Sequence, residues 1–330
     1  MEGSKSRSRL LNLLDILYKK SDEDNTLTMG SIIEELEKQG ITAERKAVYK
    51  DIKELMDFGY DISTFEENRK GYFMRSREFD ETEIRFLMDA ILSSRCLTTK
   101  KSKDLSQKLL HLTSESSASR LKNRVTFEGR IKCHNEEFYY NIDKINRAIS
   151  ENKKITYQYY EYDFDKNLVL KMEGYIYTIN PYDLCWNEDF YYLIGSHDKY
   201  DNLSNYRVDR MHDIKIIDEK RKEIYKVSGY DSGLNLVEYI RRSFKMFSGD
   251  KTKVEIKFSR DLLNTIIDRM GVDVTIRKLG GTHFKLSADV NIGEGFLAWI
   301  LGFGTKAEVL YPDFLRETIK EKIEELRELY

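Results

Sequence analysis

The chain has 330 residues, of which 34% are charged and 40% hydrophobic, and its formal net charge is −2. This length predicts two or three domains, and this composition excludes a disordered or fibrous protein. A protein that coats nucleic acid without sequence preference is normally basic, so the charge disfavours that class but not a site-specific binder with a local basic surface.

The first 76 residues show the pattern of a winged helix-turn-helix domain. Apolar residues recur at helical spacing in three segments, which are Leu10, Leu13, Leu14 and Leu17, then Ile32, Ile33 and Leu36, then Val48, Ile52, Leu55 and Met56. The second segment ends at Gly40, and Thr42 is the expected N-cap of the third helix. Two β-like runs, Asp61–Phe65 and Gly71–Met74, follow and flank a polar tip. Three helices and a hairpin in this order predict a DNA-binding domain over residues 1–76.

The third helix has the features of a recognition helix. Its lysines and Tyr49 cluster away from the apolar face, and Arg45 lies near its N-terminus. Lysines can neutralise phosphates, while Arg45 and Tyr49 could reach base edges in the major groove. The predicted DNA contacts, including the wing tip, are Thr42, Arg45, Lys46, Tyr49, Lys50, Lys53, Arg69 and Lys70. The alternative is a solvated lysine-rich face that has no partner.

Residues 77–137 are predicted to be a helical linker. Asp80 is the expected N-cap of a helix, and Ser114–Ser119 is expected to be a loop. The stretch 95–132 has ten basic and three acidic residues, which either contact DNA phosphates or balance an acidic neighbour.

The rest of the chain predicts two β-rich domains joined by a connector at residues 221–250. In residues 138–220 a helix at about Tyr140–Glu151 precedes short strands, a pattern typical of a small β-barrel. The predicted strands are Lys154–Tyr162, Leu168–Asn180, Phe190–Ser196, Tyr206–Asp209 and Asp213–Asp218. Residues 251–330 show the order βαββαβ plus a final helix, which is ferredoxin-like. The predicted fold class is therefore α+β multidomain.

Two segments of the middle domain resemble a known family. Tyr191–Gly195, followed by Tyr206–Met211, is similar to the WYL domain signature, in which a Trp-Tyr-Leu strand precedes a Phe-Arg-Leu-Asp-Arg-Ile strand. Asn180-Pro181-Tyr182 resembles the segment that leads into the WYL strand. The segment Thr42–Leu55, with Gly59 and Gly71–Phe73, resembles the winged helix usually fused to this domain, and Ala298-Trp299 with Val309–Pro312 resembles its C-terminal extension. The resemblance implies that the barrel is of the Sm/SH3-like type.

The resemblance also implies a transcription regulator whose WYL domain senses a nucleic acid or a nucleotide. On that basis the predicted effector contacts are Tyr157, Tyr159, Tyr192, His197, Arg207 and Arg210, with tyrosines stacking on bases and cations binding phosphate. The chain departs from the family pattern, because Tyr191 stands at the tryptophan position and Tyr200 and Ser204 at positions that often carry arginine.

Each of these effector predictions has an alternative. The tyrosines could form the barrel core or a subunit contact. Arg210 could form an ion pair with Asp209 or Asp213. His197, expected in a loop, could simply be solvated.

Several functional classes lack a signal in this sequence. The common nucleotide-binding, metalloprotease and hydrolase motifs are absent, and the five histidines have no metal-like spacing. We therefore expect no enzyme activity, no metal and no cofactor. Cys96, Cys133 and Cys185 include no Cys-x-x-Cys pair, which favours a cytoplasmic protein. No run reaches the ~18 apolar residues of a spanning helix, and the start of the chain predicts a helix and not a signal peptide.

Together these observations predict a cytoplasmic, homodimeric transcription regulator that binds double-stranded DNA and responds to a nucleotide or single-stranded nucleic acid. The alternative is a non-catalytic nucleic-acid sensor or accessory protein whose main partner is RNA, single-stranded DNA or another protein.

Overall fold

The computed structural model describes residues 2–124, 131–227, 229–230 and 233–330, so Glu128 and Arg130 of the basic stretch lie outside the described residues. The chain forms two compact units, Met1–His134 and Asn135–Tyr330. The first is mainly helical and the second contains the two large β-sheets, so the protein is a mixed α+β, multidomain chain. Among the described residues, no helix combines the length and apolar character that a membrane crossing requires.

Three helices and a short hairpin form the start of the first unit. They are α1 (Glu2–Lys20), α2 (Met29–Lys38), α3 (Arg45–Asp57), β1 (Ile62–Ser63), α4 (Phe65–Asn68) and β2 (Phe73–Met74). The helices bury the apolar faces that the sequence predicts, including Leu13, Leu17, Ile32, Leu36, Val48, Ile52 and Leu55. Met56 is the exception, because its side chain is 38% exposed.

Two local predictions in this region are wrong. Thr42 is not the N-cap of α3, because the helix begins at Arg45 and Glu44 holds the N-cap position without a side-chain hydrogen bond. The predicted strand Asp61–Phe65 is too long, because Phe65 begins the one-turn helix α4. The Glu67 carboxylate accepts a hydrogen bond of 3.2 Å from the N–H of Thr64, and this capping-box contact stops the strand.

Three further helices complete the first unit, namely α5 (Glu81–Ser93), α6 (Thr99–Leu110) and α7 (Glu115–Arg124). Asp80 caps α5, as predicted, by accepting a hydrogen bond of 2.8 Å from the N–H of Glu83. The predicted loop Ser114–Ser119 is wrong, because Ser114 Oγ accepts the N–H of Ser117 at 3.1 Å and the chain turns directly into α7. Ser114 also donates a hydrogen bond to the Asp22 carboxylate, which ties α7 to the end of α1.

The second unit begins with α8 (Phe138–Ser150) and a six-stranded antiparallel sheet, here called the middle sheet. Its strands are β3 (Lys153–Tyr162), β4 (Leu168–Leu170), β5 (Tyr177–Asn187), β6 (Phe190–His197), β7 (Leu203–Arg207) and β8 (Met211–Lys220). The strand order is β4-β3-β5-β6-β7, and β8 also pairs with β3.

Two strand predictions in the middle sheet are wrong. The predicted strand Leu168–Asn180 is divided into β4 and β5 by a 3-10 turn at Lys171–Gly174, in which Met172 and Glu173 adopt positive φ angles of 49° and 53°. The predicted strand Tyr206–Asp209 ends at Arg207, because Val208–Arg210 forms another 3-10 turn.

The segment between the two large sheets packs against the middle sheet. It contains α9 (Leu236–Arg242), and its Val227, Tyr239 and Met246 share a buried cluster with side chains of β5, β6 and β7. The Tyr239 hydroxyl donates to Asn205 Oδ1 at 2.9 Å, and Asn205 Nδ2 donates to the Met246 carbonyl at 2.9 Å. These contacts anchor the connector to β7.

The remaining elements follow the predicted order βαββαβ plus a helix. They are β9 (Asp250–Ser259), α10 (Leu263–Met270), β10 (Thr275–Leu279), β11 (His283–Ile292), α11 (Glu294–Leu301), β12 (Ala307–Tyr311) and α12 (Asp313–Leu329). The sheet is antiparallel with the order β10-β11-β9-β12. Its buried side chains, among them Val254, Ile256 and Phe258, pack against the helices.

Candidate nucleic-acid and effector sites

The polar face of α3 is held in a fixed orientation by its buried face. Val48, Ile52 and Leu55 pack into the core of the first unit. Between them Asp51 is also buried and pairs with Arg9 of α1, at 2.5 Å from Nε and 3.0 Å from Nη2. Because a two-point arginine–carboxylate pair is geometrically specific, it limits rotation of α3 about its axis.

All eight predicted DNA-contact residues are exposed. They are Thr42, Arg45, Lys46, Tyr49, Lys50, Lys53, Arg69 and Lys70. Within the part of the chain that the structure describes, none of their six cationic side chains forms an ion pair. Their charge is therefore available to an anionic partner.

Tyr49 is positioned by the hairpin. Its ring meets that of Tyr72 edge to face, with centroids 6.4 Å apart. Burial, together with a hydrogen bond to Tyr49, raises the pKa of Tyr72 to about 12. Tyr49 thus contacts the buried Tyr72 ring while it remains 51% exposed.

The tip of the hairpin is built around Asn68. Its Oδ1 accepts the N–H groups of Lys70 at 2.6 Å and Gly71 at 2.9 Å, and its Nδ2 donates to Ser63 Oγ at 2.9 Å. Arg69 adopts a left-handed conformation with φ 60°, which turns the chain between α4 and β2. This network presents the Arg69 and Lys70 side chains at the tip.

In the second unit, the predicted stacking residues Tyr157 and Tyr159 lie on β3 of the middle sheet and pack against its other tyrosines. Tyr157 is 1% exposed, and its ring stacks on that of Tyr177 with centroids 5.5 Å apart. Burial raises the pKa of Tyr157 well above its ordinary value and that of Tyr159 to about 12. The Tyr159 hydroxyl accepts the N–H of Arg207 at 3.1 Å. The Tyr157 ring is therefore covered by the protein's own side chains, and Tyr159 is mostly buried with its hydroxyl engaged.

Arg207, the main predicted phosphate contact, is engaged within the protein. Asp209 accepts hydrogen bonds of 3.1 Å from its Nε and 2.7 Å from its Nη2, and its guanidinium carbon lies 3.4 Å from the Phe190 ring centroid. A bound phosphate would have to compete with Asp209. Tyr192, on the strand next to Arg207, is partly buried against the connector cluster.

Arg210 and His197 differ from their expected settings. Among the described residues, Arg210 pairs with neither Asp209 nor Asp213, and Asp213 instead pairs with Lys215 at 2.6 Å. His197 ends β6 and does not lie in a loop. Its Nδ1 accepts the N–H of Lys199 at 3.1 Å, and burial, with the Lys199 charge, lowers its pKa. Of the six predicted effector residues, Tyr157 is thus fully buried, and the other five are partly exposed.

Tyr175, Tyr177 and Tyr200 form the accessible aromatic surface that the sequence interpretation missed. Tyr177 pairs directly with Tyr157 across β3 and β5, and its ring also meets that of His197. The tyrosines alternate at 175 and 177, which is a strand signal, but the register that brings them to His197 is not visible in the sequence.

The middle and final segments of the chain match two protein-family models. The WYL domain model matches residues 140–216, and the WCX domain model matches residues 250–327. No curated protein matches the chain. Among the described residues, no group of three or more His, Cys, Asp or Glu side chains is placed to hold a metal ion.

Several solved structures are similar to the chain, including the following two. One is the proteasome accessory factor B/C (PafBC) of Arthrobacter aurescens, at 17% identity and a TM-score of 0.28, with 97% of this chain and 48% of that chain covered. This chain therefore spans about half the length of that protein. The other is a CRISPR Cas-related protein, at 14% identity and a TM-score of 0.37, with 77% and 75% of the two chains covered.

Proposed function

Because the chain is a WYL domain-containing protein, we propose that it is a DNA-binding transcription regulator controlled by a ligand of its WYL domain. The observation that carries the proposal is the exposed face of α3, on which Arg45, Lys46, Lys50 and Lys53 form no ion pair with described residues. The buried Arg9–Asp51 pair behind this face supports a fixed orientation of the helix toward DNA.

The proposal includes a fold for each module. Residues 1–76 form a winged helix-turn-helix, and its support is the order of three helices and a hairpin. The middle sheet is a small Sm/SH3-like barrel. The last sheet is a ferredoxin-like domain, which the strand order β10-β11-β9-β12 supports.

The proposal also covers the oligomeric state of the protein, its ligand and the effect of that ligand on DNA binding. The regulator is a cytoplasmic homodimer that reads two half-sites about one helical turn apart. The ligand is a nucleic acid or nucleotide, and it shifts the dimer between two spacings of its DNA-binding domains. The protein performs no catalysis, a view that the lack of a recognisable catalytic motif supports.

Replacement of Lys46, Lys50 and Lys53 by alanine tests the proposal. We expect the triple variant to lose affinity for duplex DNA from the protein's own upstream region. The slope of log affinity against log salt should fall by about 0.9 for each phosphate contact that is lost. The measurement is a fluorescence-anisotropy titration at several salt concentrations.

The matched control replaces Lys220, Lys253 and Lys278 of the second unit by alanine. These lysines are also exposed and form no ion pair with described residues, so both variants change the charge equally. Equal duplex affinity in the two variants would contradict the proposal. Retained binding of single strands by the α3 variant would then favour the sensor alternative.

A further inference from the structure

An exposed aromatic surface lies at the rim of the middle sheet. We call Tyr175, Tyr177, His197 and Tyr200 the ring patch. Neighbouring rings are in contact, with centroid distances of 4.9 Å from Tyr175 to Tyr177, 6.3 Å from Tyr177 to His197 and 5.3 Å from His197 to Tyr200. Tyr200 is 61% exposed, and the other three are partly exposed. A contiguous aromatic surface of this kind can receive a flat ligand.

The ring patch is supported from below. The Tyr177 ring stacks on the buried Tyr157 ring at an interplanar angle of 13°. The Lys199 N–H that donates to His197 Nδ1 leaves Nε2 as the N–H donor of the neutral imidazole. Because these rings are already held by contacts with one another, stacking of a ligand on them costs little side-chain conformational entropy.

The charges around the ring patch are nearly balanced. Asp198 pairs with Lys154 at 2.9 Å, and Asp201 pairs with Lys222 at 2.6 Å. Lys199 remains as a cation without an ion pair among the described residues, and its Nζ lies 3.5 Å from the Tyr175 hydroxyl. One available cation is a weak basis for binding a polyanion, whose affinity depends on several such contacts.

The arginines that would supply phosphate contacts do not alter this balance. Arg207 is held by Asp209. Arg210 forms no ion pair with described residues, but it also makes no described contact with the rings of the patch. Tyr200 and Ser204 stand at two positions where the resembled family often has arginine. The surface is therefore rich in ring faces and poor in available cations. This composition suits an uncharged planar heterocycle better than a phosphate chain.

We propose that the ring patch binds a planar heteroaromatic ring of the nucleobase class by stacking, and that the ring and not the phosphate is the recognised group. Tyr177 and Tyr200 supply the ring faces, and His197 Nε2 and the Lys199 ammonium donate hydrogen bonds to acceptor atoms at the ring edge. This proposal rests on the proposed function, since it names the group that the regulatory ligand presents. The ring can belong to a free nucleoside or to a base in a single strand.

Calorimetric titration of the full chain in the absence of DNA tests the proposal. The probes are the four deoxyribonucleosides, a five-nucleotide single strand and inorganic pyrophosphate. We expect at least one base-containing probe to bind and pyrophosphate not to compete with it. Binding of free nucleosides as tightly as of the single strand would identify the nucleoside as the sufficient ligand, whereas binding of the single strand alone would identify a base within a strand. The proposal is overturned if pyrophosphate displaces the bound probe, or if no base-containing probe binds.

Substitution at Tyr200 locates the site. We expect Tyr200→Ala to weaken binding of the base-containing probe about tenfold and Tyr200→Phe to retain it, because stacking is worth ~1–3 kcal/mol per base. The matched control is Tyr162→Ala, at a tyrosine of β3 that is 54% exposed and lies outside the ring patch. Equal affinity in Tyr200→Ala and Tyr162→Ala would overturn the assignment.

Duplex binding separates this inference from the proposed function. Without ligand, Tyr200→Ala should bind duplex DNA as the unaltered protein does. Failure of the unaltered protein to bind duplex DNA would reject the regulator proposal. The calorimetric titration tests only whether the ring patch binds a nucleobase.

Discussion

Asp209 holds the guanidinium of Arg207 at two points, through hydrogen bonds of 3.1 Å to Nε and 2.7 Å to Nη2. The Asp209 side chain is only 8% exposed, and the Phe190 ring covers the guanidinium from the other side. An arginine that the family resemblance would assign to a ligand thus stabilises the end of β7 and the 3-10 turn after it. Its substitution should affect folding as well as any ligand.

We therefore expect Arg207→Ala to lower the free energy of unfolding by about 3 kcal/mol. The substitution removes the guanidinium that compensates a largely buried carboxylate, and loss of one partner of a buried pair typically costs ~3–5 kcal/mol. Urea denaturation followed by circular dichroism measures the change. The double variant Arg207→Met/Asp209→Asn should lose less than Arg207→Ala. A single variant as stable as the unaltered protein would show that the pair contributes nothing.

At the hairpin tip we expect Arg69→Gly to separate DNA contact from folding. Arg69 has φ 60°, a conformation that glycine adopts without strain, so stability should stay constant or rise by up to ~1 kcal/mol. Duplex affinity should fall, because a guanidinium is lost from the tip. Thermal unfolding and anisotropy titration measure the two effects. Reduced stability with unchanged affinity would mean that Arg69 has a structural role instead.

The stability contributed by Asp22 should depend on pH. Burial favours the neutral carboxyl, but hydrogen bonds from Ser114 and Asn25 outweigh it and place the pKa of Asp22 below its ordinary value. A carboxylate with a lowered folded-state pKa stabilises the fold above its unfolded pKa of ~3.9, and this contribution disappears as the pH falls through the folded pKa.

Asp22→Asn should accordingly lower the free energy of unfolding by about 1 kcal/mol at pH 7, with the deficit shrinking below about pH 4. Urea denaturation at a series of pH values from 7 to 3 measures it. Asp24→Asn is the control, because the Asp24 side chain is 79% exposed and lies 3.9 Å from Arg120. A deficit at Asp22 that does not vary with pH would contradict the carboxylate's role.

Gly195, the last residue of the segment that resembles the WYL signature, should not tolerate a side chain. A Cβ at this position would lie 2.7 Å from Ile179 Cγ2 and 2.9 Å from the Asn180 carbonyl oxygen. We expect Gly195→Ala to cost ~1–3 kcal/mol of stability, as overpacking of a buried site does. Gly281→Ala is the matched control, because its Cβ would meet nothing within 4 Å. Equal unfolding midpoints in urea for the two variants would refute this explanation.

The sequence predicts elements well where the signal is local. The amphipathic pattern of α3 identifies its buried residues Val48, Ile52 and Leu55 and its cationic face, because a helix face is determined largely by spacing. The order of strands and helices after residue 250 is equally visible, since alternation and turn residues mark each element. Asp80 is recognisable as an N-cap because Glu83 follows at the spacing of a capping box.

The failures occur where a distant or atypical residue decides the structure. Ser114 directly precedes a helix and not a loop, and its hydroxyl contacts Asp22, a residue 92 positions away. The turn that divides β4 from β5 places Met172 and Glu173 at positive φ, which neither residue type favours. The position of the ring patch depends on the pairing of Tyr157 with Tyr177. The register of a strand depends on its neighbour and cannot be deduced from the strand's own residues alone.

The contacts between α1 and the residues just before α7 determine how short a folded fragment of the first unit can be. Tyr18 donates a hydrogen bond of 3.2 Å to the Leu112 carbonyl, and Asp22 accepts one from Ser114. A fragment that ends after the hairpin would leave both groups without these partners and expose the surface that α7 covers. The smallest autonomous DNA-binding fragment should therefore extend through residue 124, and deletions between residues 77 and 124 should weaken DNA binding by unfolding the domain that makes the contact.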